Sequence, residues 1–340
     1  MADRVTSLQV AKRAGVSQSA VSRVFTPGAS ASEKTVEAVK KAADALGYRP
    51  NMLARAMITG KSRIIGLVVA YLDNQFYPVA LEHLSNALQE QGYHILVFTV
   101  PNDSDRVAKV MRELLDYQVD GIITASVSIT NDLTERCAAA GIPIVMFNRA
   151  QDGRKISAVT SANVAGGRKV AEFLISSGYK KIAHISGWLG SSTGRDRQEG
   201  FRQAMRHAEM TPHSVIDAHF SRDIAAQATR DMMNTATPPD AIFVGNDHMA
   251  FAVMDTVRIE LGLRIPEDVA IVGYDDVPLA QWASYDLTTV RQPVNQMVQA
   301  TIDILLSQIN QDDIKPRRIE IDGPLVIRGS TLQQLSKDTE

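Results

Sequence analysis

The chain has 340 residues, of which 45% are hydrophobic and 22% charged, with a net charge of −2 and one cysteine. That length exceeds what a single core usually serves, so two or three compact units are expected, while no apolar run approaches the ~20 residues that span a bilayer. The opening MADRVTSLQV lacks the apolar core of a signal peptide, which points to the cytoplasm, and Cys137 alone can form no internal disulfide.

The first elements in chain order are two short helical patterns in Ser7–Phe25, broken at Gly15. Ser17 suits the N-cap of the second, because its hydroxyl can accept from first-turn N–H groups. Val21, Val24 and Phe25 share one face of that helix, leaving Gln18, Ser19, Ser22 and Arg23 on the other. This is the layout of a helix-turn-helix. Gln18 and Arg23 are suited to read adenine and guanine edges in the major groove; a solvated polar face on a small bundle is the bland alternative. Charge supports the first reading. Residues 1–63 hold 11 Lys and Arg against 4 Asp and Glu, and the remainder 25 against 34, so a basic head that would neutralise phosphates precedes an acidic body.

Pro27 and Gly28 are expected to end the second helix, and Ser32 to cap a third whose inward stripe is Val36, Val39, Ala43 and Leu46, closed by Gly47. Pro50 then pushes Arg49 towards an extended conformation. Met52–Met57 can form two turns capped by Asn51, too short to be stable in isolation, so a linker that folds when held is expected, with a plain tether as the alternative.

VAKRAGVSQSAVSRVF followed by EKTVEAVKKAADALGYRPNMLARAM resembles the head and hinge of the LacI–GalR family of bacterial transcription regulators. The resemblance implies DNA contacts from Ser17, Gln18, Ser19, Ser22 and Arg23, and from Asn51, Ala54, Arg55 and Met57 of the hinge. In that family the hinges of two subunits pair in the minor groove, where an apolar residue wedges into the central base step. That role falls here on Met57, where leucine is more usual.

Beyond the hinge, strands and helices alternate. Ile64–Ala70, His94–Thr99, Gly121–Ala125 and Pro143–Phe147 read as buried strands, separated by helical patterns at Tyr77–Gln91, Asp105–Tyr117 and Asp132–Ala140. A second series follows, with strands at Ile182–Ser186, Val215–His219, Ala241–Val244 and Val269–Tyr274. The expected fold is an all-α helix-turn-helix head on an α/β body of two doubly wound parallel-sheet subdomains. By resemblance the body is periplasmic-binding-protein-like, with crossovers near Ala158–Asn163, Thr288–Pro293 and Asp322–Leu325. The expected organisation is a head at 1–48, a hinge at 49–63 and an effector-binding and dimerisation body at 64–340. One subdomain takes about 64–160 and 292–322, the other about 161–291 and 323–340.

Doubly wound sheets bind ligands beyond the carboxyl ends of their strands. Polar and aromatic residues there are Asn74, Phe76, Tyr77, Asn148, Arg149, Thr193, Arg195, Arg197, Phe220, Asn246, Asp247 and Asp275. All but Arg195 match positions that line the effector cleft in the family. Taken singly, Asn246 and Asp247 can equally be helix caps and Arg195 a surface charge. Two departures from the family stand out: Ala70 and Tyr71 replace a common proline and aspartate, and Trp188 occupies a position where proline is frequent.

Enzyme readings are weak. Gly190–Gly194 matches the G-x-S-x-G elbow with Ser192 as nucleophile, but Gly187-Trp188-Leu189 intervenes after the strand. No P-loop, dinucleotide fingerprint or paired metal spacing is present, so no cofactor or metal is expected. Gly166-Gly167 reads as a close helix–sheet contact, and Cys137 as packing. The expected function is a repressor of transcription, binding a near-palindromic operator as a homodimer under the control of a small, sugar-like effector. A cytoplasmic solute-binding protein or enzyme with an incidental helical head is the alternative.

Overall fold

The computed structural model describes residues 5–26, 29–49, 60–101, 104–127, 129–153, 156–312 and 315–332. The chain divides into two units, Met1–Ser62 and Arg63–Glu340.

The first unit is three helices, each with caps that its sequence supplies. Thr6 and Gln9 form a reciprocal capping box at the start of α1 (Ser7–Ala14), and Gly15 ends it in the left-handed region at φ +69°. The Ser17 hydroxyl accepts from the Ala20 N–H to start α2 (Gln18–Val24). Ser32 likewise caps α3 (Glu33–Leu46), which Gly47 closes at φ +67°. Val10, Ala11, Val21, Val39, Ala42 and Ala43 form the core. Ala42 belongs to the buried stripe of α3, whereas Val36 is only half-buried. Pro27, Gly28 and the hinge residues Asn51, Ala54, Arg55 and Met57 lie outside the described residues.

The second unit contains two six-stranded sheets. The first comprises β1 (Ile64–Val69), β2 (His94–Thr99), β3 (Gly121–Ala125), β4 (Ile144–Phe147), β5 (Ser157–Ser161) and β11 (Arg318–Ile321), in the order β11-β5-β4-β3-β1-β2. All its neighbours are parallel. The second comprises β6 (Ile182–Ser186), β7 (Val215–Asp217), β8 (Ala241–Val244), β9 (Ala270–Asp275), β10 (Thr288–Arg291) and β12 (Leu325–Val326), in the order β12-β10-β9-β8-β6-β7, with only β12 antiparallel. Helices α4 (Phe76–Glu90), α5 (Ser104–Asp116) and α6 (Asn131–Ala139) connect the first sheet. Helices α7 (Asn163–Ser176), α8 (Ser192–His207), α9 (Arg222–Met233) and α10 (Asp247–Asp255) serve the second, and α11 (Val294–Ile309) returns to pack on β4 and β5. Among the described residues no helix is long and apolar enough to cross a membrane.

Both sheets reverse strand order at one point, between β1 and β3 in the first and between β6 and β8 in the second. A crevice opens at such a switch, because the connections on either side leave in opposite directions. The chain passes between the sheets after Ser161, Arg291 and Ile321. The segments that read as crossovers thus contain strands of their own, β5 and β10, whose Ser and Thr content hides them.

Two strand readings need correction. β2 is not buried: it is an edge strand, paired on one side only, with His94, Val97 and Thr99 exposed. The strand expected to run to His219 stops at Asp217, because His219 and Phe220 turn into the left-handed region at φ +52° and +61°. Cys137 is buried in apolar packing, and burial pushes its thiol up to about 11.

Candidate functional site

A cleft of about 400 Å³ lies at the carboxyl ends of both sheets, lined by residues that follow β1, β3, β4, β6, β7 and β8 and by the last residue of β9. Much of its wall is held in backbone conformations that side chains rarely adopt. Ser126 (φ +64°), Asn148 (+65°), His219, Phe220 and Asp275 (+127°) all line it. Such conformations cost about 1–3 kcal/mol each and cluster at binding sites, where they aim side chains that a regular strand would direct elsewhere.

Nine of the residues expected at the site do line this cleft: Asn74, Tyr77, Asn148, Arg149, Thr193, Arg197, Phe220, Asn246 and Asp275. Three do not. Phe76 faces the core, stacked on Phe147 with ring centroids 6.1 Å apart, and borders a smaller cavity behind Asp275. Arg195 is half-exposed and pairs with Asp152 at 3.0 Å and Asp196 at 3.1 Å. Successive residues of a helix turn by about 100°, so Arg195 and Arg197 cannot share a face of α8. Asp247 is fully enclosed behind the wall, its carboxylate accepting from the Thr289 hydroxyl (2.7 Å) and the Val277 N–H (3.0 Å). Asn246 both lines the cleft and caps α10, accepting from Met249 N–H at 3.0 Å. Ser192, the candidate nucleophile, accepts from the Ala150 N–H at 3.0 Å.

Other lining residues escaped the sequence reading: Tyr71, Asp73, Ser126, Ser221, Arg222 and His248 among them. Ser126 directly follows β3, so the strand-end rule already pointed to it. Those after Phe220 were hidden by extending β7 too far.

Arg197 anchors the centre. Its Nε donates to Asn163 Oδ1 (2.9 Å) and its Nη1 to the Gly245 carbonyl (2.7 Å), with Asp275 Oδ1 at 3.4 Å and the Tyr274 ring centroid 3.6 Å from Cζ. Gln292 Nε2 donates to Asp275 at 2.7 Å. Burial raises the Asp275 carboxyl above its ordinary range, and the Arg197 guanidinium works against that. Burial raises Asp247 too, reinforced by the charge of Asp275.

Arg149 is placed differently. It is 6% exposed, and its one hydrogen bond among the described residues runs from Nη1 to the Ser126 carbonyl at 2.8 Å. Its Nε has no partner, nor do Ser126 Oγ and Asn148 Oδ1. Cζ lies 5.9 Å from the Trp188 ring and 5.8 Å from the Phe220 ring. Each such contact contributes about 0.5–2 kcal/mol, against a desolvation cost of several kcal/mol for a buried ion. Burial accordingly lowers the Arg149 pKa.

Arg195 pairs with Asp152 at 3.0 Å and Lys169 with Asp322 at 3.1 Å between the halves of the body, and His248, whose pKa burial lowers, lies 3.6 Å from Asp73. Their carboxylates are largely exposed, so each contributes little on its own.

In the first unit α2 leaves Gln18, Ser19, Ser22 and Arg23 exposed. Gln18 Nε2 donates to Ser7 Oγ (2.8 Å), and Ser17 and Ser19 share a hydrogen bond (2.9 Å). The Arg23 side chain has no ion pair or hydrogen bond among the described residues, so its guanidinium is free to meet an acceptor.

Comparison with known proteins agrees with both units. Residues 8–51 match the model of bacterial regulatory proteins of the lacI family, and residues 171–331 that of a periplasmic binding protein-like domain. The HTH-type transcriptional repressor PurR of Vibrio vulnificus (strain CMCP6) is 31% identical over 326 residues, 95% of this chain and 97% of the relative. The ribose operon repressor of Escherichia coli (strain K12) is 29% identical over 330 residues, 96% and 99% of the two chains. Among solved structures, a transcriptional regulator CelR–cellobiose complex aligns with a TM-score of 0.73 at 31% identity, covering 96% of this chain and 100% of that one. The lac repressor dimer bound to operator and the anti-inducer ONPF aligns with a TM-score of 0.87 at 27% identity, covering 97% and 100%. With a capped helix-turn-helix, two switch-point sheets around a polar cleft and relatives aligned over nearly their whole length, the chain belongs to the lacI family of bacterial regulatory proteins.

Proposed function

We propose that this protein is a transcriptional repressor whose affinity for a near-palindromic operator is set by a small polyhydroxylated molecule in the cleft of its body. The observation that carries this reading is the cleft itself: strained strand ends from two sheets converge on one polar pocket in a chain that begins with a basic helix-turn-helix. A volume near 400 Å³ suits a ligand of sugar size. Residues 1–48 serve as the DNA-binding head, with Ser17, Gln18, Ser19, Ser22 and Arg23 towards the major groove. Residues 49–63 serve as the hinge, and 64–340 as the effector and dimerisation body.

The repressor named above acts on a ribose operon, and the regulator complex holds cellobiose; a sugar or sugar derivative is the corresponding ligand class here. Hydroxyl groups find acceptors and donors in Asn74, Asn246 and Asp275, and Phe220 covers an apolar face. A ligand that contacts both sheets differs in affinity between open and closed arrangements, and that difference is the coupling energy delivered to the head.

Pairing of two chains supplies two recognition helices for a two-fold operator. The solved relative named above is a dimer on its operator. In this body Val97 and Tyr117 expose apolar surface at the β2 edge, and Ile224, Ile259 and Trp282 do so on the second half, which suits pairing of bodies.

The test is selection of a random duplex library by the purified protein at ~150 mM salt, where phosphate contacts alone bind weakly. A recovered near-palindrome whose yield changes when sugars are added supports the regulator. Binding with no sequence preference, with and without sugars, refutes it.

A further inference from the structure

Every other buried charge of the cleft wall has a compensating partner. Arg197 faces Asp275 at 3.4 Å, and Asp275 also accepts from Gln292. Asp276, just behind, is gripped by Arg291 and Arg328, each at 2.6 Å. Asp247 is satisfied by the Thr289 hydroxyl and the Val277 N–H and forms no ion pair with an arginine among the described residues. Arg149 forms no ion pair among the described residues and, unlike Asp247, is left with an unsatisfied polar atom: it is 6% exposed and its Nε has no acceptor. Its chain neighbour Asn148 is neutral; the Asn148 amide donates to Tyr77 Oη at 3.1 Å and its Oδ1 is unpartnered. The cleft therefore presents two buried guanidiniums and one carboxylate.

Asp73 and Asp223 line the mouth, but neither forms an ion pair with Arg149 among the described residues. Asp73 faces His248, and Arg222 faces Asp255 at 3.7 Å while donating to the His248 carbonyl. Both aromatic faces beside Arg149 exclude water, which strengthens any ion pair formed there. A buried cation without a protein partner is costly unless its function supplies the counter-charge. A guanidinium offers a planar fork of donors that matches the paired oxygens of a carboxylate or phosphate.

We infer that the effector is an anion: a polyhydroxylated molecule of sugar size whose carboxylate or phosphate pairs with Arg149 beside Trp188 and Phe220, its hydroxyls reaching Asn74, Asn246 and Asp275. The inference rests on the reading of this cleft as the effector site, and names the chemical class that site takes.

The experiment is thermal melting of the full-length protein and two variants, Arg149→Met and Arg197→Met. Each is melted alone and with 1 mM D-glucose, D-gluconate, D-glucose 6-phosphate, D-ribose, D-ribonate or D-ribose 5-phosphate. Without additive, Arg149→Met is expected to melt above the native protein, since it removes an uncompensated charge, and Arg197→Met below it, since it strands Asp275. At least one acid or phosphate should raise the melting temperature of the native protein by several degrees, more than its neutral parent does, with the gain lost in Arg149→Met. Gain from the acids identifies a carboxylate, gain from the phosphates a phosphate. Arg149→Met melting below the native protein overturns the inference, because Arg149 is then compensated. Equal gains from neutral sugars in the native protein and Arg149→Met overturn it while leaving the effector cleft standing. No gain from any of the six removes the inference and the effector reading of the cleft together.

Discussion

His184 is fully enclosed on β6, between β8 and the edge strand β7 of the second sheet. Its Nδ1 donates to the Phe243 carbonyl at 2.9 Å, its ring stacks on Phe243 at 4.5 Å, and Nε2 has no partner. Burial, with smaller contributions from Arg202 and Arg197, lowers its pKa from 6.5 to about 4. The folded state thus binds fewer protons than the unfolded one in that window. Its contribution to stability is whole above pH 6.5 and disappears as pH falls towards 4, a loss of about 3 kcal/mol. Denaturant titrations of the native protein and His184→Leu at pH 7.5 and pH 4.5 should show the gap between them narrowing by about 2–3 kcal/mol in favour of the variant at the lower pH. A constant gap would mean that His184 is not held neutral. At the same scale, base reading is the role proposed for the exposed Arg23. Arg23→Ala should cost about 1–3 kcal/mol and relax preference at one operator position. A uniform loss over all sequences in a binding titration would make it a phosphate contact instead.

Among the elements, the crossing of α7 and α8 positions Arg197. A Cβ on Gly167 would sit 2.0 Å from the Arg197 carbonyl oxygen, and one on Gly200 would sit 1.9 Å from that of Val164. Only hydrogen at these two positions lets the helices approach so closely. Gly166 meets Tyr274 of β9 instead, so the glycine pair read as a helix–sheet contact serves one contact of each kind. Gly167→Ala forces backbone apart rather than a flexible side chain, and should destabilise the body by about 1–3 kcal/mol or more. It should also weaken effector binding, because Arg197 rides on the displaced backbone. An unchanged melting temperature would show that the helices can separate at little cost.

For the molecule as a whole, the exposed apolar side chains of the second half of the body are the surface proposed to pair two copies. Ile259 is 79% exposed on a π-helical turn, Thr256–Glu260, that packs against α9, the helix that bears Ile224. Ile259→Asp should leave the folded chain intact and shift sedimentation towards monomer, weakening operator binding at least tenfold through loss of the second recognition helix. A variant that still sediments as a dimer would move the interface away from this surface.

The sequence by itself determined the helices of the head, because caps and glycine stops are local chemistry: Thr6, Ser17 and Ser32 act within three residues of themselves. It also determined most strands of the body and nine of the cleft residues, because a parallel strand covered on both faces is an apolar run whose polar residues lie at its end. Only the tertiary structure decided the rest. Whether β2 is central or at an edge depends on pairing with strands distant in the chain, and β5 and β10, rich in Ser and Thr, show no apolar run at all. Asp247, next to Asn246 in sequence, is turned away by one step of helix to serve Val277 and Thr289. That Arg149 lacks a counter-charge is a statement about which side chains reach it from other strands, and charge compensation in a folded protein is set by distance in space.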